Sequence, residues 1–196
     1  MEKLPVTAYT YTLPEDRIAL HPLPDRDQSK LLVYRKGIVE HAVFKDITEK
    51  LPASSVLYFN NTRVIPARIH FQRETGSQIE IFLLNPVQPS RFLADTMRAE
   101  GRCTWQCMIG NLKRWKPGRV LSRQTGDFTL QATLIDRENQ VVELHWQPAS
   151  MTLAEILDKT GITPLPPYLK REAEDSDQQR YQTVYAEKEG AVAAPT

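Results

Sequence analysis

The apolar and polar positions of this chain fall into three textures. Over about residues 1–63 helix and strand signals are mixed. Thr12-Leu-Pro-Glu15 has the form of a capping box with proline inside the first turn, which predicts a short helix through Asp16, Ile18 and Leu20. Pro22 and Pro24 halt it. Lys30–Tyr34, a turn at Arg35-Lys36-Gly37, and Ile38–Phe44 predict a β-hairpin. Asp46 and Glu49 suggest a capped helical turn, and the apolar Val56-Leu-Tyr-Phe59 reads as a buried strand.

From about 64 to 149 the signals are almost purely those of strands. The segments are Ala67–Gln72, Gln78–Leu84, Thr104–Ile109, Arg119–Ser122, Phe128–Ile135 and Val141–Trp146. Turn-like punctuation separates them at Glu74-Thr-Gly-Ser77, Asn85-Pro86, Lys116-Pro-Gly118 and Asp136–Asn139. Strands this short and this regularly spaced predict a small antiparallel β-barrel. Phe128, Leu130, Ala132 and Leu134 alternate toward one core. The stretch 85–102 reads either as a strand near Phe92 or as loop. Beyond 149 the texture turns helical: Thr152-Leu-Ala-Glu155 is a second capping box, Ile156 and Leu157 supply an apolar face, and Gly161 stands at a helix C-cap. Pro164–Tyr168 is stiff and extended, and the polar run Lys170–Arg180 predicts solvated loop. The small apolar tail Gly190–Thr196 looks unfinished, so the chain is expected to continue.

Composition narrows this picture. With 25 Lys+Arg against 24 Asp+Glu the formal net charge is +1, so any RNA contact should rest on a local basic patch and not on a global field. Met1-Glu-Lys-Leu-Pro-Val has no apolar core of a signal peptide, and no run approaches a membrane span. Cys103 and Cys107 have no further Cys and only four His in the chain beside them, so they read as buried free thiols of a reducing compartment, with no metal site.

Four segments carry candidate chemistry. His21-Pro-Leu-Pro-Asp-Arg26 reads as a rigid ligand loop or as a proline-stiffened connection. Asn60-Asn-Thr-Arg63-Val-Ile-Pro-Ala-Arg68 sets amide, hydroxyl and guanidinium groups after an expected strand, suited to a carboxylate or phosphate or else to salt bridges at a domain junction. Arg180–Tyr185, if extended, alternates polar donors with rings that suit a nucleoside, or else is a plain strand with a wet face. Lys113-Arg-Trp-Lys116 reads as a basic patch on an RNA backbone or as a solvated hairpin. No phosphate-binding loop, dinucleotide fingerprint or nucleophile elbow occurs.

Ile18–Arg26, Phe59–Arg68, Thr163–Tyr168, Arg180–Ala186 and Gly190–Thr196 together, in order and spacing, resemble the S-adenosylmethionine:tRNA ribosyltransferase-isomerases. The resemblance covers nearly the whole chain and is weakest in the expected barrel. It implies an α/β domain, residues 1–63 and 150–196, interrupted by an antiparallel β-barrel over 64–149, with the α/β domain completed by sequence beyond Thr196. It also implies a cytoplasmic enzyme, monomeric when whole. That enzyme moves the ribosyl moiety of S-adenosylmethionine onto 7-aminomethyl-7-deazaguanine at the wobble position of tRNA, releases adenine and methionine, and leaves epoxyqueuosine. S-adenosylmethionine is then a substrate and neither a cofactor nor a metal is required. The sulfonium acidifies the neighbouring C5′ protons, so a base generates an ylide while a proton donor eases the departure of adenine. Asn60, Thr62, Arg63, Arg68, Tyr168, Arg180, Tyr181, Gln182, Thr183 and Tyr185 match the motifs and are expected to line the substrate site, with His21 and Arg26 behind them; none is assigned as the general base. Where the family has a basic Arg-Pro-Gly-Lys-like run, this chain reads Cys107–Trp115. That departure raises a second reading, a paralogue with another acceptor; a non-catalytic RNA-binding module is a third.

Overall fold

A computed structural model describes residues 5–73 and 75–192. The expectations on Met1–Leu4, on Glu74 within its turn, and on the last four residues of the tail lie outside the described residues. The chain separates into two units, Met1–Tyr58 with Pro166–Arg171, and Phe59–Leu165 with Glu172–Thr196.

In the first unit the hairpin is present: β1 (Lys30–Arg35) pairs antiparallel with β2 (Ile38–Val43) around Lys36 and Gly37, both at positive φ. α1 (Ile47–Lys50) follows a 3-10 turn at Phe44–Asp46, without a side-chain cap. The helix expected after Thr12 is only a three-residue 3-10 turn, Glu15–Arg17, also uncapped. Val56–Phe59 is a correction as well. It is exposed, Tyr58 reaching 94 % exposure, because among the described residues no strand pairs with it.

The second unit is built on a seven-stranded, wholly antiparallel sheet. After β3 (Thr62–Val64), described below, its strands are β4 (Arg68–Gln72), β5 (Gln78–Gln88), β6 (Arg102–Gly110), β7 (Leu121–Gln124), β8 (Thr129–Asp136), β9 (Val141–Gln147) and the short β10 (Gly161–Ile162). The spatial order is β10-β4-β5-β6-β9-β8-β7. The sheet curls into a half-barrel. β4 and β7 share no ladder, and the Arg123 Nη1 on β7 spans the seam, donating to the carbonyls of His70 (3.4 Å) and Thr160 (3.2 Å). Alternation places Ile69 and Phe71, Ile79, Ile81 and Leu83, Cys103, Trp105 and Cys107, Leu130 and Ala132, and Val142, Leu144 and Trp146 in one core. The protein is thus a mixed α/β molecule carrying a curled antiparallel half-barrel.

Two helices extend that core. α2 (Leu93–Met97) occupies the stretch that sequence left between strand and loop; a Ser90–Asp95 side-chain bond of 3.1 Å and buried Thr96 and Met97 hold it. α3 (Leu153–Thr160) starts at the expected capping box: Thr152 accepts from the Glu155 amide (3.3 Å), and the Glu155 carboxylate accepts from the Thr152 amide (2.7 Å). Leu153, Ile156 and Leu157 are fully buried. Gly161 ends the helix with φ −76°, an ordinary extended value, so its glycine answers to space. A Cβ there would lie 2.0 Å from the Pro66 carbonyl oxygen. The polar run after Lys170 also departs from plain loop. α4 (Asp177–Arg180) forms, with Asp177 buried and accepting from the Glu174 amide at 2.8 Å. The last strand, β11 (Lys188–Ala191), pairs parallel with β3.

Candidate functional site

The β3–β11 pair joins two of the segments singled out above, although more than a hundred residues separate them. Lys188 is in register with Thr62, Glu189 with Arg63 and Ala191 with Val64. The pairing is prepared on both sides. The Asn60 side chain accepts from the Thr62 amide at 3.0 Å, turning the chain into β3. The Asn61 carbonyl receives the amides of Glu187 (2.8 Å) and Lys188 (3.1 Å), and the Ala191 carbonyl receives that of Ile65 (2.9 Å). Gly190 permits the approach: a Cβ on it would meet the Thr62 methyl at 3.0 Å.

Gln182 works like one further rung of a ladder. Its Oε1 accepts from the Val64 amide and its Nε2 donates to the Val64 carbonyl, both at 2.8 Å. The Arg180–Tyr185 segment is not extended, however. Arg180 closes α4 and Tyr181 follows with φ −83° and ψ 3°, so its side chains do not alternate as a strand's would. The buried Asp177 is the reason, since its carboxylate fixes the preceding turn and favours the helical one.

A cavity of about 310 Å³ opens at this junction, lined in part by Arg63, Asp158, Thr163, Gln178 and Gln182. Arg63 forms no ion pair with a described residue, and Asp158 is the one carboxylate among the described residues that line the cavity. The hydroxyls of Thr62 and Thr183 are buried with no hydrogen-bond partner among the described residues, as expected of groups awaiting a ligand or water. Arg68 is engaged otherwise: it lies 3.7 Å from the Glu80 carboxylate, which His70 also contacts at 3.0 Å, and 5.3 Å over the Phe82 ring. Tyr185 packs its ring on Phe59, centroids 4.8 Å apart.

Of the sequence candidates, Arg63 and Gln182 line the cavity. Asn60, Thr62, Thr183 and Tyr185 belong to the framework of the strand pair, and Arg180 and Tyr181 sit half-buried beside α4. Tyr168, His21 and Arg26 belong to the first unit; Tyr168 and His21 are exposed, and Arg26 opens a 3-10 turn whose carbonyl accepts from the Ser29 hydroxyl at 2.8 Å. Asp158 and Gln178 escaped the sequence reading, and Thr163 entered it only as the first residue of the Thr163–Tyr168 motif, not as a site candidate. A single aspartate on the polar face of α3 carries no pattern, and only the fold sets it near Arg63.

The Lys113–Lys116 motif resolves in an unexpected way. Trp115 is an anchor, 1 % exposed, donating through Nε1 to the Arg119 carbonyl at 2.8 Å. Arg137 holds the same loop through the carbonyls of Trp115 (2.8 Å) and Leu112 (3.0 Å). Cys103 and Cys107 are free and buried, and burial pushes the Cys103 thiol up to about 12 and the Cys107 thiol up as well. No described helix is long and apolar enough to cross a membrane.

Comparison with known proteins adds the following. The chain is 37 % identical over 194 residues to the S-adenosylmethionine:tRNA ribosyltransferase-isomerase of Pelobacter propionicus, covering 97 % of this chain and 52 % of that protein. It is 36 % identical over 191 residues to the protein of that name from a Sulfurihydrogenibium species, covering 96 % and 52 %. A solved S-adenosylmethionine tRNA ribosyltransferase from Thermotoga maritima is 28 % identical, with 82 % of this chain and 51 % of that one covered and a TM-score of 0.32. The chain thus spans about half the length of the curated relatives it matches. The model of one family, described as queuosine biosynthesis protein, matches residues 6–196, and the chain belongs to that family.

Proposed function

We propose that this chain is part of an S-adenosylmethionine:tRNA ribosyltransferase-isomerase and that the cavity beside Arg63 receives the methionyl end of S-adenosylmethionine. In this reading the ribosyl group moves to 7-aminomethyl-7-deazaguanine at the tRNA wobble position, giving epoxyqueuosine with loss of adenine and methionine. The observation that carries it is that a guanidinium with no ion pair among the described residues, Arg63, and a carboxylate, Asp158, line one small polar cavity. An amino-acid zwitterion asks for that pair of charges: Arg63 for the α-carboxylate, Asp158 for the α-ammonium or the sulfonium. The orphaned hydroxyls of Thr62 and Thr183 add donors nearby in the fold. Adenine, the ylide-forming base and the acceptor nucleoside need more groups than this cavity has, so the reading assigns them to the length of the relatives that the chain does not span.

The same reading interprets residues 1–63 and 150–196 as parts of an α/β domain interrupted by the β-rich segment 64–149. It is supported by the parallel β3–β11 pair, whose strands flank that segment in sequence. A cytoplasmic location follows from the substrates.

The test is enzymatic. Protein joined to the remaining length of its relatives, given S-adenosylmethionine and tRNA bearing the aminomethyl base, should release adenine and methionine together and leave a heavier wobble nucleoside by mass spectrometry. Arg63→Ala and Asp158→Asn should each lower kcat/KM by about 10- to 100-fold, the loss of one charge-assisted bond. S-adenosylhomocysteine as product would overturn the reaction class. Adenine release with a different acceptor only would favour the paralogue.

A further inference from the structure

We infer that the open seam of the half-barrel is a track for an RNA sugar-phosphate backbone leading to the cavity beside Arg63; this rests on the reading that the substrate is an RNA. Two grooves of about 710 and 280 Å³ lie along that seam, sharing Gln72 and Ser122 in their linings. Arg123 lines the larger groove, and Arg73, Lys116 and Arg119 line the smaller. Among the described residues neither lining contains a carboxylate, and none of the four cations forms an ion pair. In a chain of net charge +1, four cations along one seam are a local concentration of positive charge.

The cations are also held ready. Lys116 and Arg119 stand on the loop that buried Trp115 and Arg137 pin, and Arg73 on the tight β4–β5 turn, where its amide bonds the Ser77 carbonyl at 2.9 Å. Little loop ordering then opposes binding. Side-chain amides and hydroxyls between the cations supply neutral donors, and the one ring among the described lining residues, His70, is held by the Glu80 carboxylate at 3.0 Å, so the seam suits phosphodiesters more than unstacked bases. The direction of the track follows from β10. Ile162 borders the larger groove, and its neighbour Thr163 borders the Arg63 cavity. A strand lying in the seam therefore arrives at the candidate site.

The experiment measures binding of a fluorescein-labelled RNA stem-loop, the length of an anticodon arm, to the 196-residue chain across a salt series. Arg73→Gln, Lys116→Gln and Arg119→Gln are combined, and Arg123 is left intact because it holds the seam. A control removes equal charge at Arg91, Arg98 and Arg102, which line neither groove. The seam variant should bind about tenfold or more weakly at low salt, and its log K against log salt slope should shrink by about 2 to 3. The control should change neither by more than about half as much. Equal effects of the two variants, an unchanged slope in a seam variant of native circular dichroism, equal competition by polyglutamate, or no binding by the unaltered chain would each overturn the track. None of these would touch the S-adenosylmethionine reading, which stands or falls on adenine release.

Discussion

The same four-residue signal occurs once in each unit, with opposite results. Thr152-Leu-Ala-Glu155 forms both reciprocal cap bonds and opens an eight-residue helix with four buried residues. Thr12-Leu-Pro-Glu15 forms no cap bond and precedes a three-residue turn with none buried. Capping satisfies a few orphan amides, whereas a short helix in water needs an apolar face with somewhere to go. α3 has the half-barrel core beneath it. The segment after Thr12 has Ile18 half-buried and Leu20 exposed. The contrast holds for the units as wholes. Every buried apolar side chain among the described residues belongs to the sheet unit, while the first unit exposes Val6, Tyr11, Leu32, Tyr34, Ile38 and Tyr58. A two-stranded hairpin is marginal by itself, and one whose apolar residues face water on both strands contributes little stability to the chain. The first unit has the sequence of a folded domain without the contacts of one.

The sharpest way to break this comparison is to truncate one large side chain in each unit. Trp146 is fully buried and donates to the Met151 carbonyl at 2.8 Å; Trp146→Ala should destabilise the sheet unit by about 3–5 kcal/mol. Tyr34→Ala, at a side chain 66 % exposed, should cost within about 0.5 kcal/mol. Cys103 and Cys107 report on the sheet unit alone. With the Cys103 thiol pushed up to about 12, labelling by a disulfide reagent near pH 8 should be about a thousandfold slower than for a free thiol. Trp146→Ala should abolish that protection and Tyr34→Ala should not. Equal destabilisation by the two variants would mean that the first unit's apolar residues are buried in solution, for instance by self-association.

What was legible in the sequence divides along the same line. Strict alternation made the half-barrel readable because a curled sheet buries one side of each strand, and a one-residue slip would expose the whole set. Strand ends were less legible: β5 runs on to Gln88, and β7 begins at Leu121 and not Arg119, since backbone pairing with no burial leaves no trace in hydropathy. Val56–Phe59 misled for the converse reason, a hydrophobic run with no strand partner among the described residues. At the site, motif order picked out Arg63 and Gln182, but Asp158, Thr163 and Gln178 depend on where α3 and α4 end up. Gln182 shows a further limit. Its residue type promised donors for a ligand, and its amide is bonded to the Val64 backbone on both sides.

Gly161 sharpens the comparison at the point where helix, sheet and cavity meet. A Cβ there would also fall 2.6 Å from the Leu157 carbonyl oxygen, so both obstacles are backbone. Gly161→Ala must therefore displace β10 from β4, at a cost of about 1–3 kcal/mol, and should shift the amide resonances of Ala67, Arg68 and Ile69. An alanine variant of unchanged thermal midpoint would refute the close approach. The equivalent change at Gly37 tests the contrary situation. That residue has φ +88° and open space around it, so any penalty there is conformational and confined to the hairpin turn.

The smallest effect belongs to the cap itself. Thr152→Ala removes a side-chain acceptor at the start of α3 and should lower the stability of the sheet unit by about 1 kcal/mol. Its partner makes the effect depend on pH. Bonds from the Thr152 amide and hydroxyl hold the Glu155 carboxyl below its ordinary value of 4.5. A carboxyl lowered on folding adds stability that is complete above its unfolded value and is lost as pH falls through the lowered one. The unaltered chain should thus lose this contribution below about pH 4.5, whereas Glu155→Gln, with no charge to lose, should have a flatter acid limb. The Asp127 carboxyl is also lowered, by the bond from Lys159, so the measurement is the difference between the two proteins and not the slope of either. Parallel acid limbs would show that Glu155 does not hold the cap in solution. A matching change at Thr12 should leave the thermal midpoint where it was, because the first unit's signal has no helix to stabilise; Glu15 is left intact, since its carboxylate pairs with Lys170.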